Sequence, residues 1–330
     1  MSSTVPSSAT AAFAVEDLHV TLGRGSRAAP VVRGVSWSVE PGRTLGVVGE
    51  SGSGKSMTVL AATGLVPPPA TVRGRALLDG TDLLTLRGRA LERVRGSRLG
   101  FVFQDPMTSL NPLLTVERQI TEGLEEHRGM TRRAARGRAR ELLDLVGIPD
   151  PDRRLDTYPH QMSGGMRQRV MIAIALACEP AVLVADEPTT ALDVTTQAQI
   201  LDVVRDLQER IGMAVVWISH DLGVVGGIAD EVVVMYSGQV VEQAPVQTLH
   251  DAPAHPYTRG LLGARPRLGQ AQTELVAIPG APPDPRALPP GCAFHDRCTV
   301  RGDPRCATQV PPLAAVGPDH LARTFYLEAR

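Results

Sequence analysis

The chain has 330 residues, 43% of them hydrophobic, enough for a sizeable core and for one large domain with an appendage or two modest ones. Its formal net charge of −1 argues against a nucleic-acid binder that holds phosphates by bulk charge, and nucleic acid is not an expected partner. No run approaches the roughly 18 apolar residues of a membrane-spanning helix. The opening MSSTVPSSATAA has neither a basic nor an apolar signal segment and reads as a disordered tail over residues 1–12. The expectation is a cytosolic protein whose contact with a membrane runs through a partner.

In chain order, residues 13–48 read as β-rich: FAVEDLHVTL alternates, GRGSRAAP is a loop, and VVRGVSWSV alternates again before the Pro41-Gly42 turn. The short apolar strand TLGVV runs into a glycine-rich turn and a helix predicted from Ser56 to about Leu65, stopped by Pro67-Pro68-Pro69. Strand RLGFVF leads to Gln104, and residues 113–147 are charged and helical in pattern. A helix over 164–178, strand AVLVAD, helix TTQAQILDVVRDLQERIG, strand AVVWIS, helix DLGVVGGIAD and strand EVVVMY follow. Strands alternating with crossover helices predict a parallel sheet covered on both faces. After about residue 250 the texture changes to proline-rich loops and a cysteine cluster, read as a separate small module. No internal repeat is visible, so a single copy of this α/β unit is expected.

Gly49-Glu50-Ser51-Gly52-Ser53-Gly54-Lys55-Ser56 fits G-x-x-x-x-G-K-[ST] and joins a predicted strand to a predicted helix. Its glycines let successive backbone N–H groups turn inward on phosphate oxygens at a helix N-terminus. Lys55 then faces the β- and γ-phosphates of ATP, and the Ser56 hydroxyl is a Mg²⁺ ligand. Lys55 is also the only lysine beside thirty-three arginines. In a chain so biased to arginine, that exception marks a site where a compact ammonium, rather than a planar fork, is needed. A structural glycine loop is the plainer reading, and the strand–turn–helix context argues against it.

The strand Val182-Leu183-Val184-Ala185 ends in Asp186-Glu187, which brings two carboxylates to the sheet edge where the phosphate loop lies. Asp186 suits the Mg²⁺ shell and Glu187 suits polarisation of an attacking water. Ser163-Gly164-Gly165, at the head of a helix, is a second glycine-bounded anion site.

Taken in order, the phosphate loop, Gln104, MSGGMRQR (162–169), VLVADEP (182–188), Ala191-Leu192-Asp193 and His220 resemble the nucleotide-binding subunits of ABC transporters, over residues 13 to about 245. The resemblance implies a P-loop, RecA-like α/β domain over 13–250, with an antiparallel β subdomain and a helical subdomain at about 105–180. A cysteine-containing extension would occupy 251–330. It implies an ATPase in which Gln104 ligates Mg²⁺ and senses the γ-phosphate, and His220 contacts that phosphate and positions water. Asp193 would lie at the dimer interface. Ser163, Gly164 and Gly165 would complete the ATP site of a second subunit, in trans, within a head-to-tail dimer. Two residues depart from the family pattern. Met166 stands where the signature usually has glutamine, as in peptide importers, and Leu22 stands where an aromatic residue would stack on adenine.

FQDPMTSLNPL (103–113), YPHQMSGGMRQR (158–169), DEPTTALDVTTQAQIL (186–201) and the tail motifs HPYTRGLL (255–262) and GCAFHDRC (291–298) resemble the dipeptide, oligopeptide and nickel importers. That branch implies two transmembrane permease subunits, contacted through residues 105–115, and a second ATPase subunit, commonly a different one. An extracytoplasmic solute-binding protein would act indirectly, and the chain would sit on the cytoplasmic face of the membrane. A soluble ABC ATPase of DNA repair or translation is the alternative, but it should show coiled-coil insertions or tandem cassettes. A non-hydrolysing scaffold is the third reading, and Glu187 argues against it.

Cys178 lies in an apolar helix pattern and reads as a buried small hydrophobe. Cys292, Cys298 and Cys306 cluster late. The resemblance implies an iron–sulfur (4Fe–4S) cluster on four cysteines, yet the region of the fourth holds none. Three readings stay open: a cluster with one non-cysteine ligand, a Cys₃His zinc site with His295, or three reduced thiols.

Overall fold

The structure, a computed structural model, describes residues 11–189, 194–264, 278–300 and 303–326. Its strands are β1 (Phe13–Leu22), β2 (Ala29–Val39), β3 (Thr44–Val48), β4 (Ala70–Leu78), β5 (Thr81–Asp82), β6 (Leu99–Val102), β7 (Val182–Asp186), β8 (Ala214–Ser219), β9 (Glu231–Tyr236), β10 (Gln239–Pro245), β11 (Leu313–Gly317) and β12 (His320–Arg323). Its helices are α1 (Lys55–Ala62), α2 (Arg89–Ser97), α3 (Pro106–Ser109), α4 (Val116–Arg128), α5 (Arg132–Leu145), α6 (Pro151–Leu155), α7 (Gly164–Leu176), α8 (Val194–Ile211), α9 (Leu222–Gly226), α10 (Val246–Asp251) and α11 (Pro256–Gly263).

Two sheets carry the fold. The larger runs β11-β12-β10-β9-β3-β8-β7-β6, and the smaller, antiparallel one runs β2-β1-β4-β5. Strands β9, β3, β8, β7 and β6 are parallel neighbours, as the alternation of strand and crossover helix predicts. Being covered on both faces, these strands are apolar except near their ends, and their side chains divide between two cores. Val182, Val184, Ala214, Val216 and Ile218 pack with the small sheet and α1. Leu183, Ala185, Val215 and Trp217 pack on the other face with α4, α5 and α7. The alternation follows from the period-2 geometry of a strand.

The helical region is built by local signals. Thr115 and Thr131 accept backbone N–H groups at the heads of α4 and α5, and Gly129 ends α4 in the left-handed region. Ile120, Leu124, Ala139, Leu142 and Leu143 bury one stripe of each helix.

Four expectations differ from the fold. Residues 70–82, assigned no element from sequence, form β4 and β5; β4 completes the sheet beside β1 from Phe13↔Leu78 to Leu22↔Ala70. The helix expected over 221–230 stops at Gly226, where a second glycine follows. Ala12, the last residue of the tail expected over 1–12, is instead buried and donates its N–H to Val39 O at 2.9 Å, while residues 1–10 lie outside the described residues. Most importantly, the region after 250 is not a separate module. Its hairpin β11–β12 extends the large sheet on β10, and Phe294 joins the large core. The cause is an edge strand with polar groups to satisfy. Glu242 of β10, 0% exposed, meets His320 Nε2 of β12 at 2.8 Å and the N–H groups of Ala254 and His255.

Candidate active site

The site grows out of the C-terminal edge of the parallel strands. β3, wholly buried, delivers the chain into the turn Gly49–Gly54, and α1 begins at Lys55. Gly49 and Gly54 are required by packing. A Cβ at Gly49 would stand 2.2 Å from Met235 O, and one at Gly54 would stand 2.7 Å from Val31 O, with φ at +98°. The turn is pinned from outside as well, since Gly238 N–H donates to Ser53 O at 2.9 Å.

Lys55 is 4% exposed, and its Nζ donates to Gly49 O at 2.7 Å and Glu50 O at 3.0 Å. Burial pushes the ammonium down from its ordinary value, while Glu187, Asp186 and Glu50 act in the opposite sense. Nζ lies 4.0 Å from Glu187 Oε1. Ser56 Oγ donates to Asp186 Oδ1 at 2.8 Å. Burial pushes the Asp186 carboxyl up, and the Ser56 hydrogen bond and Lys55 pull it back.

Glu187 follows β7 at φ +47°, a region that residues other than glycine, asparagine and aspartate seldom occupy, at a cost of about 1–3 kcal/mol. Its N–H donates to Ile218 O at 3.0 Å, which holds the turn against β8. This conformation aims the carboxylate back over the phosphate loop. There Glu187 Oε2 meets His220 Nδ1 at 3.1 Å and accepts from Gln104 Nε2 at 3.4 Å. His220, at the end of β8, and Gln104, after β6, are both exposed.

Lys55, Ser56, Gln104, Asp186, Glu187 and His220 are therefore gathered into one continuous set from four strand ends, although they span 165 positions of sequence. A cation, a hydroxyl and two carboxylates beside an inward-turned loop are what phosphoryl transfer with a divalent cation needs. The residues fit such ligands. The Ser53 Oγ is buried in the loop with no hydrogen-bond partner among the described residues, and space is open at Gly52.

Ser163 and Gly164 are exposed at the head of α7, where Ser163 Oγ accepts from Met166 N–H at 3.4 Å, and Gly165 is half-buried. Met166 lies partly buried on the large core. Leu22, at the end of β1, packs at the margin of the small-sheet core. Asp193, with Ala191 and Leu192, lies outside the described residues. Cys178 is buried, as its apolar setting predicts.

The late cysteines do come together. Cys292, Cys298 and Cys306 line one cavity with His295, and Cys292 N–H donates to Cys306 O at 2.9 Å. The cavity measures about 20 Å³, room for about one water. Burial pushes the Cys292 and Cys306 thiols up, towards the protonated form. Among the described residues no group of three His, Cys, Asp or Glu side chains is set to hold a metal ion. So arranged, these residues fit neither the expected iron–sulfur cluster nor zinc.

Two residues at the phosphate loop escaped the sequence reading. Arg297 pairs with Glu50 through both carboxylate oxygens, at 2.7 and 3.0 Å, and the Tyr257 hydroxyl accepts the Glu50 N–H at 2.8 Å. Both lie in tail motifs, HPYTRG and HDRC, and the presence of those motifs was the one available signal.

Comparison with known proteins agrees with this geometry. Residues 32–190 match the family described as ABC transporter, and residues 241–306 match the oligopeptide/dipeptide transporter C-terminal region. The oligopeptide transport ATP-binding protein OppD of Mycobacterium tuberculosis is 53% identical over 316 residues, covering 95% of this chain and 52% of that one. OppD of Bacillus subtilis is 48% identical, covering 95% and 88%, and the dipeptide transport ATP-binding protein DppD of the same organism is 49% identical, covering 88% and 87%. The chain thus spans about half the length of its mycobacterial relatives. Among solved structures, the ATP-binding cassette MJ0796, in a dimeric post-hydrolysis state bound to ADP and Pi, superposes with a TM-score of 0.65 at 30% identity, covering 71% of this chain and 98% of that one. No described helix is long and apolar enough to cross a membrane. In cassette, site and C-terminal region alike, the chain belongs to the ATP-binding proteins of ABC transporters, in the oligopeptide and dipeptide branch.

Proposed function

We propose that this chain hydrolyses ATP to energise import of di- or oligopeptides, with nickel as the other cargo of the branch, through two permease subunits at the cytoplasmic face of a membrane. The observation that carries the reading is the contact of Glu187 with both His220 and Gln104, 4.0 Å from the buried Lys55 ammonium.

In this reading the loop Gly49, Glu50, Ser51, Gly52, Ser53 and Gly54 holds the phosphates, and Lys55 neutralises the β- and γ-phosphate charge. Ser56, Asp186 and Gln104 would hold Mg²⁺, which supplies electrostatic stabilisation of the phosphate oxygens. Glu187 takes a proton from water as its oxygen bonds to the γ-phosphorus and the bond to ADP breaks, with His220 orienting that water. Ser163 and Gly164, exposed at the head of α7, and the half-buried Gly165 serve the site of a second ATPase subunit in a head-to-tail dimer, with Asp193 at the interface. Substrate choice lies with the solute-binding protein and permeases. No metal is assigned to Cys292, Cys298 and Cys306.

The test is ATP turnover and peptide uptake by the chain assembled with its permeases in vesicles. Peptide-stimulated turnover that disappears in Glu187→Gln is the expected result. ATP turnover with no dependence on permeases would overturn the transport role, and failure of the chain to bind MgATP would overturn the nucleotide role.

A further inference from the structure

The phosphate loop of a nucleotide site is ordinarily shaped by its own strand and helix. Here it is also held from the far end of the chain. The peptide group linking Gly49 to Glu50 is gripped on both sides: its N–H donates to the Tyr257 hydroxyl at 2.8 Å, and its C=O accepts from Lys55 Nζ at 2.7 Å. A trans peptide is planar and its N–H and C=O point opposite ways. Fixing the N–H on Tyr257 therefore fixes the plane on which Lys55 rests.

The grip is rigid. Tyr257 is 0% exposed and packs in an aromatic cluster with Tyr236 and Phe294, at ring distances of 4.7 and 5.4 Å. Arg297, 6% exposed, lies against the same rings. Its guanidinium donates to Pro279 O at 2.8 Å and to the Tyr236 hydroxyl at 3.3 Å, which leaves the remaining fork for Glu50. A bidentate pair of this kind sets orientation as well as charge. It also neutralises a carboxylate inside a loop that must accept anionic phosphates.

We infer that Tyr257 and Arg297 are positioning residues for the nucleotide site: the C-terminal extension braces the phosphate loop through Glu50 and thereby orients Lys55 for ATP. This rests on the nucleotide reading above. It also gives the tail a role in the catalytic half of the molecule, in addition to closing the sheet edge.

The test uses the full chain with Tyr257→Phe, Arg297→Met, Glu50→Gln and the double variant Arg297→Met/Glu50→Gln. Titration with MgATP measures Kd and stoichiometry, and melting without nucleotide measures folding. Breaking a charge-assisted pair or orphaning a buried N–H predicts a Kd raised about tenfold for Arg297→Met and about fivefold for Tyr257→Phe, at unchanged stoichiometry. The double variant should bind no worse than the weaker single one, because both changes cut the same link. Lower stoichiometry with unchanged Kd would mean a merely structural role and overturn the brace. So would additive losses in the double variant, or Kd within twofold of wild type throughout. Should Arg297→Met not fold, Tyr257→Phe, which loses one oxygen, carries the test. A wild-type chain that does not bind MgATP overturns the nucleotide reading and the brace together, whereas normal wild-type binding with unaffected variants overturns the brace alone.

Discussion

Ser56 donates its hydroxyl hydrogen to Asp186 at 2.8 Å, joining the first turn of α1 to the last residue of β7 across 130 positions of sequence. Asp186 is buried and Ser56 half-buried at the C-terminal edge of the parallel strands, where crossover topology collects loops from several strands. A hydroxyl and a carboxylate held together in this way are ready to share a divalent cation.

Ser56→Ala should therefore raise the Mg²⁺ concentration needed for half-maximal ATP turnover by about tenfold, the scale on which groups around a metal set its affinity. Mg²⁺ titration of the assembled ATPase checks this. An unchanged midpoint would remove Ser56 from the cation site.

Lys55→Arg keeps the charge and should still impair the enzyme. The ammonium is 4% exposed and fitted between Gly49 O and Glu50 O, a space shaped for a compact donor rather than a planar fork. A loss of at least about tenfold in ATP affinity or turnover is expected. Near-normal values for both would sink the claim that lysine is required.

Glu187→Gln should lower turnover by about 10²–10⁴-fold, the range for removing a general base, while ATP binding persists. The amide keeps the size of the side chain that meets His220 and Gln104 but cannot take the proton. Single-turnover hydrolysis at saturating ATP is the measurement, and turnover at the wild-type rate would strip Glu187 of its role.

Acid should destabilise the junction between cassette and tail. Burial lowers the His255 pKa from 6.5 to about 4, with Arg323 and Arg259 adding to the effect and Glu242 opposing it. The unfolded chain binds the proton near pH 6.5 and the folded chain refuses it until about 4. The contribution of the neutral ring is thus complete above pH 6.5 and is lost as pH falls from 6.5 towards 4, about 3 kcal/mol in all. His255 also caps α11 by accepting the Tyr257 N–H, a role asparagine can keep. Melting temperature should fall more between pH 7.5 and 5 in wild type than in His255→Asn. Parallel curves would mean that His255 is not the group responsible.

What could be read in the sequence was whatever depends on short spacing. Residues 49–56 fix their own geometry, since glycines at set offsets between a strand and a helix leave the backbone few other paths. The apolar runs ending at Asp186 and at Ser219 announced buried parallel strands for the same reason, and their carboxylates and His220 fall where such strands end. β4 was hidden because ATVRGRALL has a glycine and two arginines along an exposed stretch, and it becomes a strand only through pairing with β1.

The tail was misjudged for a related reason. Proline-rich texture suggested a detached module, but composition says nothing of which edge a distant hairpin will close or which buried carboxylate it must satisfy. His320 answers Glu242 over 78 positions, Tyr257 reaches Glu50 over 207, and Arg297 reaches it over 247. The sequence alone determined the phosphate loop, the carboxylates and the alternation of the parallel strands with their crossover helices, because those follow from local backbone geometry and period. Only the tertiary structure decided what holds the loop in place. A hydrogen bond between residues hundreds of positions apart exists only once packing has brought them together, and no local pattern records it.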